Sequence, residues 1–251
     1  MAFTIALAGK GGTGKTTIAS LLVRILKDEN KGSILAVDAD PNSNLAEFLG
    51  LKANKSIGAI LDELSLHPDT VPKGMPKDRF IEYEVHKAIE EAEGFDVLTM
   101  GRPEGAGCYC YVNNVLRNTV SKLANDYDYV IIDNEAGLEH LSRRTMRKAD
   151  SLIIVSDPTK AGLRAAKRIL ELTQELKIDI KKKSLLINRM ESGFDKKDLN
   201  FFEEIDYLGE VPQDQEILNT SRNGSSLAHL DNNSAGFKRL KEITGKIWLL
   251  N

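Results

Sequence analysis

The stretch Gly9-Lys10-Gly11-Gly12-Thr13-Gly14-Lys15-Thr16 decides how this chain folds. It fits G-x-x-x-x-G-K-[ST], and its flanks supply the context that makes such a match informative: an apolar run over 3–8 precedes it and a helical pattern over 16–27 follows. A strand, a glycine loop and a helix in that order bring backbone N–H groups onto a phosphate, and the helix N-terminus adds partial positive charge. Gly9, Gly11, Gly12 and Gly14 let the backbone wrap closely, with Thr13 between them and Thr17 just beyond. Lys15 is placed to reach the outer phosphates, and the Thr16 hydroxyl to ligate magnesium. Residues 9–17 are therefore expected to bind ATP with Mg2+.

Working outward, apolar runs alternate with helical patterns along most of the chain. The spacing predicts strands over 3–8, 33–37, 95–100, 129–133, 151–156, 183–188 and 205–211. Runs such as Tyr129-Val130-Ile131-Ile132 and Leu152-Ile153-Ile154-Val155 are apolar throughout, as strands buried on both faces are. Helices are expected over 16–27, 112–124, 161–176 and 237–248. This alternation predicts an α/β fold, a doubly wound, mostly parallel sheet flanked by helices. Residues 51–94, with Pro68, Pro72 and Pro76 and many charges, break the rhythm. They read as a helical insertion, with helices over 57–64 and 78–91, inside one domain spanning 1–251.

Composition narrows the partners. Net charge is −3 over 251 residues, so no basic field is available to hold nucleic acid. No apolar run approaches the ~18 residues of a membrane span, and the first residues read as a buried strand, not a leader. Only two cysteines are present, close together, which argues against a disulfide framework and for the cytoplasm.

Lys10 is the unusual feature of the loop. The pattern G-K-G-G-x-G-K-[ST] resembles that of the switch ATPases that include the septum-positioning protein MinD, the partition ATPases and the nitrogenase iron protein. The resemblance implies that Lys10 reaches the partner's nucleotide across a homodimer, and that Lys10, Lys15 and Asp40 carry catalysis. Asp38-Ala39-Asp40-Pro41 ends the second expected strand, at the edge where ligands bind in such sheets. Asp40 resembles the family's water-positioning carboxylate, and Asp38 a support of the magnesium shell. A helix-capping cluster ahead of Leu45 is the alternative for both. Asp133 resembles the Walker B aspartate and Gly137 the glycine of the second switch. Asn188-Arg189 and Pro212-Gln213 resemble the segments that flank the adenine.

Gly107-Cys108-Tyr109-Cys110-Tyr111 carries chemistry that phosphate transfer does not need. Two thiols one residue apart can grip one soft metal but supply only half of a closed thiolate site. A two-fold dimer would complete it with two thiolates from each chain. Together with Gly101-Arg102-Pro103-Glu104, Asn114, Leu116-Arg117 and Ala136-Gly137-Leu138-Glu139-His140-Leu141, this segment resembles the CooC family. Those ATPases insert nickel into carbon monoxide dehydrogenase, and the related AcsF serves acetyl-CoA synthase. The resemblance implies a slow, nucleotide-switched dimeric metallochaperone, with Ni2+ or Zn2+ held at the dimer interface by Cys108 and Cys110 of both subunits and a nickel-enzyme apoprotein as client. Two other functions fit the loop: a positioning ATPase with no metal role, or an iron–sulfur reductase of the nitrogenase iron protein type. The first would use a membrane or DNA, and the C-terminal pattern bears on it. Phe237, Leu240, Ile243, Ile247 and Leu250 recur at helical spacing beside Lys238, Arg239, Lys241 and Lys246. That helix either docks on the sheet or lies on a membrane surface, and docking is the expectation. His140 reads as a structural residue, and His67, His86 and His229 have no other ligand type beside them.

Overall fold

A computed structural model of the chain describes residues 2–42, 44–52, 55–102, 109–136, 148–191 and 205–248. The described strands form one sheet in the order β3-β4-β2-β5-β1-β6-β7-β8. They are β1 (Phe3–Ala8), β2 (Ile34–Ala39), β3 (Glu90–Ala92), β4 (Phe95–Thr99), β5 (Tyr129–Asn134), β6 (Lys148–Ser156), β7 (Asp179–Met190) and β8 (Asp206–Pro212). All pairings are parallel except β3 with β4. β5, β2, β4 and β3 lie in that order on one side of β1, with β5 inserted between β1 and β2, and β6, β7 and β8 follow on the other side. β1 thus lies between β5 and β6, where the winding reverses and a ligand crevice opens at the carboxyl edge.

Alternation along each strand divides two cores. Ile5 and Leu7 of β1 join Ile131 and Ile153 on one face, with Leu22 and Leu26 of α1 (Lys15–Asp28). Leu240 and Ile243 of α8 (Ala235–Trp248) pack on that same face. Ala6, Val37, Leu98, Ile132 and Ile154 face the other way. They meet α3 (Ile57–Leu66), α4 (Lys77–Lys87), α5 (Tyr109–Leu123) and α6 (Lys160–Glu175). The short helices α2 (Leu45–Phe48) and α7 (Gln215–Arg222) complete the set of described α-helices. Both faces of the sheet are covered, which is why its central strands read as unbroken apolar runs.

Several boundaries differ from the sequence expectation. The helix expected over 78–91 stops at Lys87, and Glu90–Ala92 instead forms an antiparallel edge strand. The reason is Gly94, whose φ of 85° closes a two-residue turn that pairs Ala92 with Phe95. α5 begins at Tyr109 and not at 112, so Cys110 belongs to the first turn of a helix and not to a loop. Of the C-terminal pattern, Phe237, Leu240, Ile243 and Ile247 are buried against the core, and Leu250 lies outside the described residues. Arg24 of α1 secures this packing, with its guanidinium 4.4 Å from the centre of the Phe237 ring and a hydrogen bond to Asn232.

Candidate functional site

The glycine loop leaves β1 at Ala8 and enters α1 at Lys15, at the centre of the sheet's carboxyl edge. Two glycines there are dictated by space. A Cβ at Gly9 would stand 2.2 Å from the carbonyl oxygen of Val155 on β6. Gly14 has φ of 91°, and a Cβ there would stand 2.4 Å from the Asn188 amide nitrogen. Inside the loop the Lys10 carbonyl accepts the Thr13 hydroxyl at 2.9 Å and the Thr13 N–H at 3.4 Å. The Lys15 ammonium also reaches it, at 3.5 Å. The Lys10 side chain itself is exposed.

Lys15 is buried, and burial is the main cause of its lowered pKa, opposed in turn by Asp133, Asp40 and Glu135. Asp38 and Asp133 are register partners on β2 and β5, and Asp38 also partners Thr99 on β4. Asp38 is wholly buried and its pKa is raised to about 7, first by desolvation and then by Asp133. Its carboxylate accepts the N–H of Leu45 at 2.8 Å and that of Asp40 at 3.1 Å, so the capping alternative describes its present contacts. Asp133 rises to about 6 by desolvation, partly offset by a hydrogen bond from Thr16 and by the charge of Lys15. Its Oδ1 is buried and has no hydrogen-bond partner among the described residues. Asp40 accepts the Asn42 N–H at 2.9 Å.

Those observations test the fit of a magnesium ion. A buried carboxylate oxygen with no partner lies beside the Thr16 hydroxyl, and two carboxylates resist ionising in the absence of a cation. Mg2+ characteristically takes one or two carboxylates and completes its shell with waters and substrate phosphates. The residues fit.

Beside the loop lies a small hollow lined by Thr17, Leu21, Asn188, Arg189, Pro212 and Asp214, among others. It brings together four residues expected around a nucleotide that are distant in sequence. Gln213 is not in that lining; its N–H donates to Met190 at 3.0 Å, joining the ends of β8 and β7. Gly137 and Cys108 lie outside the described residues, as does the Cys110 side chain. Among the described residues, no three or more His, Cys, Asp or Glu form a group able to hold a metal.

Two contacts escape sequence reasoning. The Asn188 amide donates to the Thr13 carbonyl at 2.8 Å, across 175 positions. The Asn134 amide donates to the Leu7 carbonyl at 2.8 Å, joining the end of β5 to the root of the loop. Polar residues at the ends of expected strands are the available signal, but their partners are fixed only by sheet order. A larger hollow of about 690 Å³ opens at the opposite, amino-terminal edge near Thr4, Arg117, Lys148 and Lys181 and contains none of the expected loop residues.

A family model described as an AAA domain matches residues 3–187. An uncharacterized ATP-binding protein of Methanocaldococcus jannaschii is 41% identical over 247 residues, 97% of each chain. The carbon monoxide dehydrogenase accessory protein CooC of Rhodospirillum rubrum is 32% identical over 238 residues, 88% of each chain. The crystal structure of the Pyrococcus furiosus cell division ATPase MinD superposes with a TM-score of 0.75 over the whole of both chains, at 22% identity, a likeness of fold. The chain belongs to the AAA-domain family, as a P-loop ATP-binding protein related to the septum site-determining protein MinD of Bacillus subtilis, which is 30% identical over 232 residues, 88% of this chain.

Proposed function

We propose that the chain is a magnesium-dependent ATPase switch and that its output is the handling of a thiophilic metal, nickel first, for delivery to a client enzyme. The observation that carries the first half is the grouping of Lys15, Thr16 and the open Asp133 oxygen at the root of the loop. Lys15 and the loop amides would hold the phosphates, and Thr16 with Asp133 would hold the metal. Bound magnesium would supply charge neutralisation on the phosphate oxygens. Asp40, held near Lys15, orients water toward the terminal phosphate. Thr17, Asn188, Arg189 and Pro212 receive the base, with Gln213 beyond it. Lys10, exposed at the rim, is free to reach a second subunit, and Gly137 of the second switch responds to the terminal phosphate. Turnover is slow, as suits a switch.

The second half is supported by likeness to CooC and by the C-x-C segment. Cys108 and Cys110 from two chains would make a four-thiolate site for Ni2+ or Zn2+, with the metal as cargo for carbon monoxide dehydrogenase or acetyl-CoA synthase. ATP drives the cycle to the extent that it binds the closed dimer more tightly than the open one. The test is a titration of reduced, anaerobic protein with Ni2+ and with Zn2+, reading oligomeric state by light scattering. Saturation near one metal per two chains, lost in Cys108→Ala/Cys110→Ala while ATP hydrolysis persists, supports the metallochaperone. Metal binding that is indifferent to the cysteines sinks it and leaves the ATPase.

A further inference from the structure

Asn188 stands between the small hollow and the phosphate loop. It is 6% exposed, lies within the irregular register of β7 between Ile187 and Met190, and is followed by Arg189 in the left-handed region at φ of 56°. A bulge of this kind re-aims a side chain at the end of a strand. Here the amide turns onto the loop and donates to the Thr13 carbonyl at 2.8 Å. Its nitrogen occupies the space that a Cβ on Gly14 would need.

We propose that Asn188 is a positioning residue for the phosphate chain, acting through the Thr13–Gly14 peptide, beyond any contact it makes with the base. The peptide group is planar and trans, so its C=O and N–H point in opposite directions. Holding the Thr13 carbonyl toward Asn188 holds the Gly14 N–H away from it, and that N–H opens the helix that ends in the phosphate site. The rest of the loop is consistent with a fixed plane. Thr13 is wholly buried, and its hydroxyl and N–H are both committed to the Lys10 carbonyl. Without the tether, the Thr13–Gly14 plane is freer to rotate, which glycine permits.

This inference rests on the ATP-binding reading, and the experiment separates the two. Dissociation constants of Mg-ATP, Mg-UTP and Mg-tripolyphosphate are measured for wild type and Asn188→Ala, each checked for folding by its melting transition. If Asn188 is a tether, its loss weakens binding of all three about tenfold, equivalent to about 1.4 kcal/mol. A residue that only reads adenine weakens ATP and leaves UTP and tripolyphosphate unchanged, which overturns the proposal. Asn188→Asp keeps the shape but sets an acceptor against the Thr13 carbonyl. It loses at least as much as Asn188→Ala for all three ligands, and it decides the matter if the alanine variant does not fold. Wild type that binds none of the three removes the ATP reading itself, a result distinct from loss of the tether.

Discussion

Asp38 and Asp133 sit side by side on β2 and β5, both buried, and each is pushed toward its protonated form in the free protein. The fold therefore stores a cost that a bound divalent cation would relieve. The sign follows from proton linkage. A carboxyl whose folded pKa is raised binds protons that the unfolded chain has already released, so stability falls as pH rises from about 4. The fall continues until both groups have ionised, at about 6 for Asp133 and about 7 for Asp38.

Asp133→Asn should flatten that slope. The amide keeps an acceptor for Thr16 and removes one of the two charges. Without nucleotide or metal, wild type should melt progressively lower between pH 5 and pH 8. The variant should change less and melt higher than wild type at pH 8. Added Mg2+ should raise the wild-type transition at pH 8 and leave the variant's unmoved, while ATP hydrolysis by the variant falls about 100-fold or more. Parallel pH profiles for the two proteins would refute the stored cost.

Gly14→Ala should be severe for two reasons that can be separated. A left-handed residue with a side chain costs about 1–2 kcal/mol, and the new Cβ would collide with the Asn188 amide 2.4 Å away. The collision should vanish in Gly14→Ala/Asn188→Ala, and the backbone cost should remain. Melting temperatures and ATP affinities of the two single variants and the double variant should therefore be non-additive, with the double less impaired than the sum. Strict additivity would place Asn188 elsewhere.

The two loop lysines should fail in different ways. Lys15 is buried among Asp133, Asp40 and Glu135, so Lys15→Ala should abolish measurable ATP binding and also lower stability near neutral pH by leaving those carboxylates unbalanced. Lys10 contributes its carbonyl to the loop and exposes its side chain. Lys10→Ala should therefore retain ATP binding and melting temperature and lose hydrolysis. In wild type, the hydrolysis rate per chain should rise with protein concentration if the lysine acts across a dimer. Equal loss of binding in both variants would contradict this division.

The division between what is legible in the sequence and what is not follows from range. The strands of the central sheet and the helix after the glycine loop announce themselves through local apolar runs, and their ends shift by only a few residues. The β3–β4 hairpin is signalled by Glu93-Gly94, but the charged helical pattern before it masks a strand whose only partner among the described residues is β4. α7 goes unmarked although Asp214 caps it, accepting the N–H groups of Glu216 and Ile217. An eight-residue helix on the surface gives too few turns for a clear period. Among the candidate residues, motif spacing marks Lys15 and Thr16, and the family resemblance adds Asp133. Neither can show that Asp38 spends both oxygens on backbone amides, or that Asn188 turns to the loop, because both contacts depend on the geometry at the edge of the assembled sheet.

α8 is the segment on which a membrane-positioning role would depend. Its apolar side chains are used: Leu240 is fully buried, Ile243 meets the space above Gly209, and Phe237 lies beneath Arg24. A helix with its apolar face inside the core cannot insert that face into a bilayer without undocking. Leu240→Ala should therefore behave as a core truncation, lowering stability by about 2–5 kcal/mol. Lys238→Glu, on the polar face, should leave stability within about 0.5 kcal/mol. Sedimentation with anionic phospholipid vesicles should show no ATP-dependent pelleting of the wild type, and none in either variant. ATP-dependent pelleting that is lost in the charge-reversed variant, with its fold intact, would mean that α8 leaves the core when nucleotide binds, and would move the protein's output from metal delivery to a membrane surface.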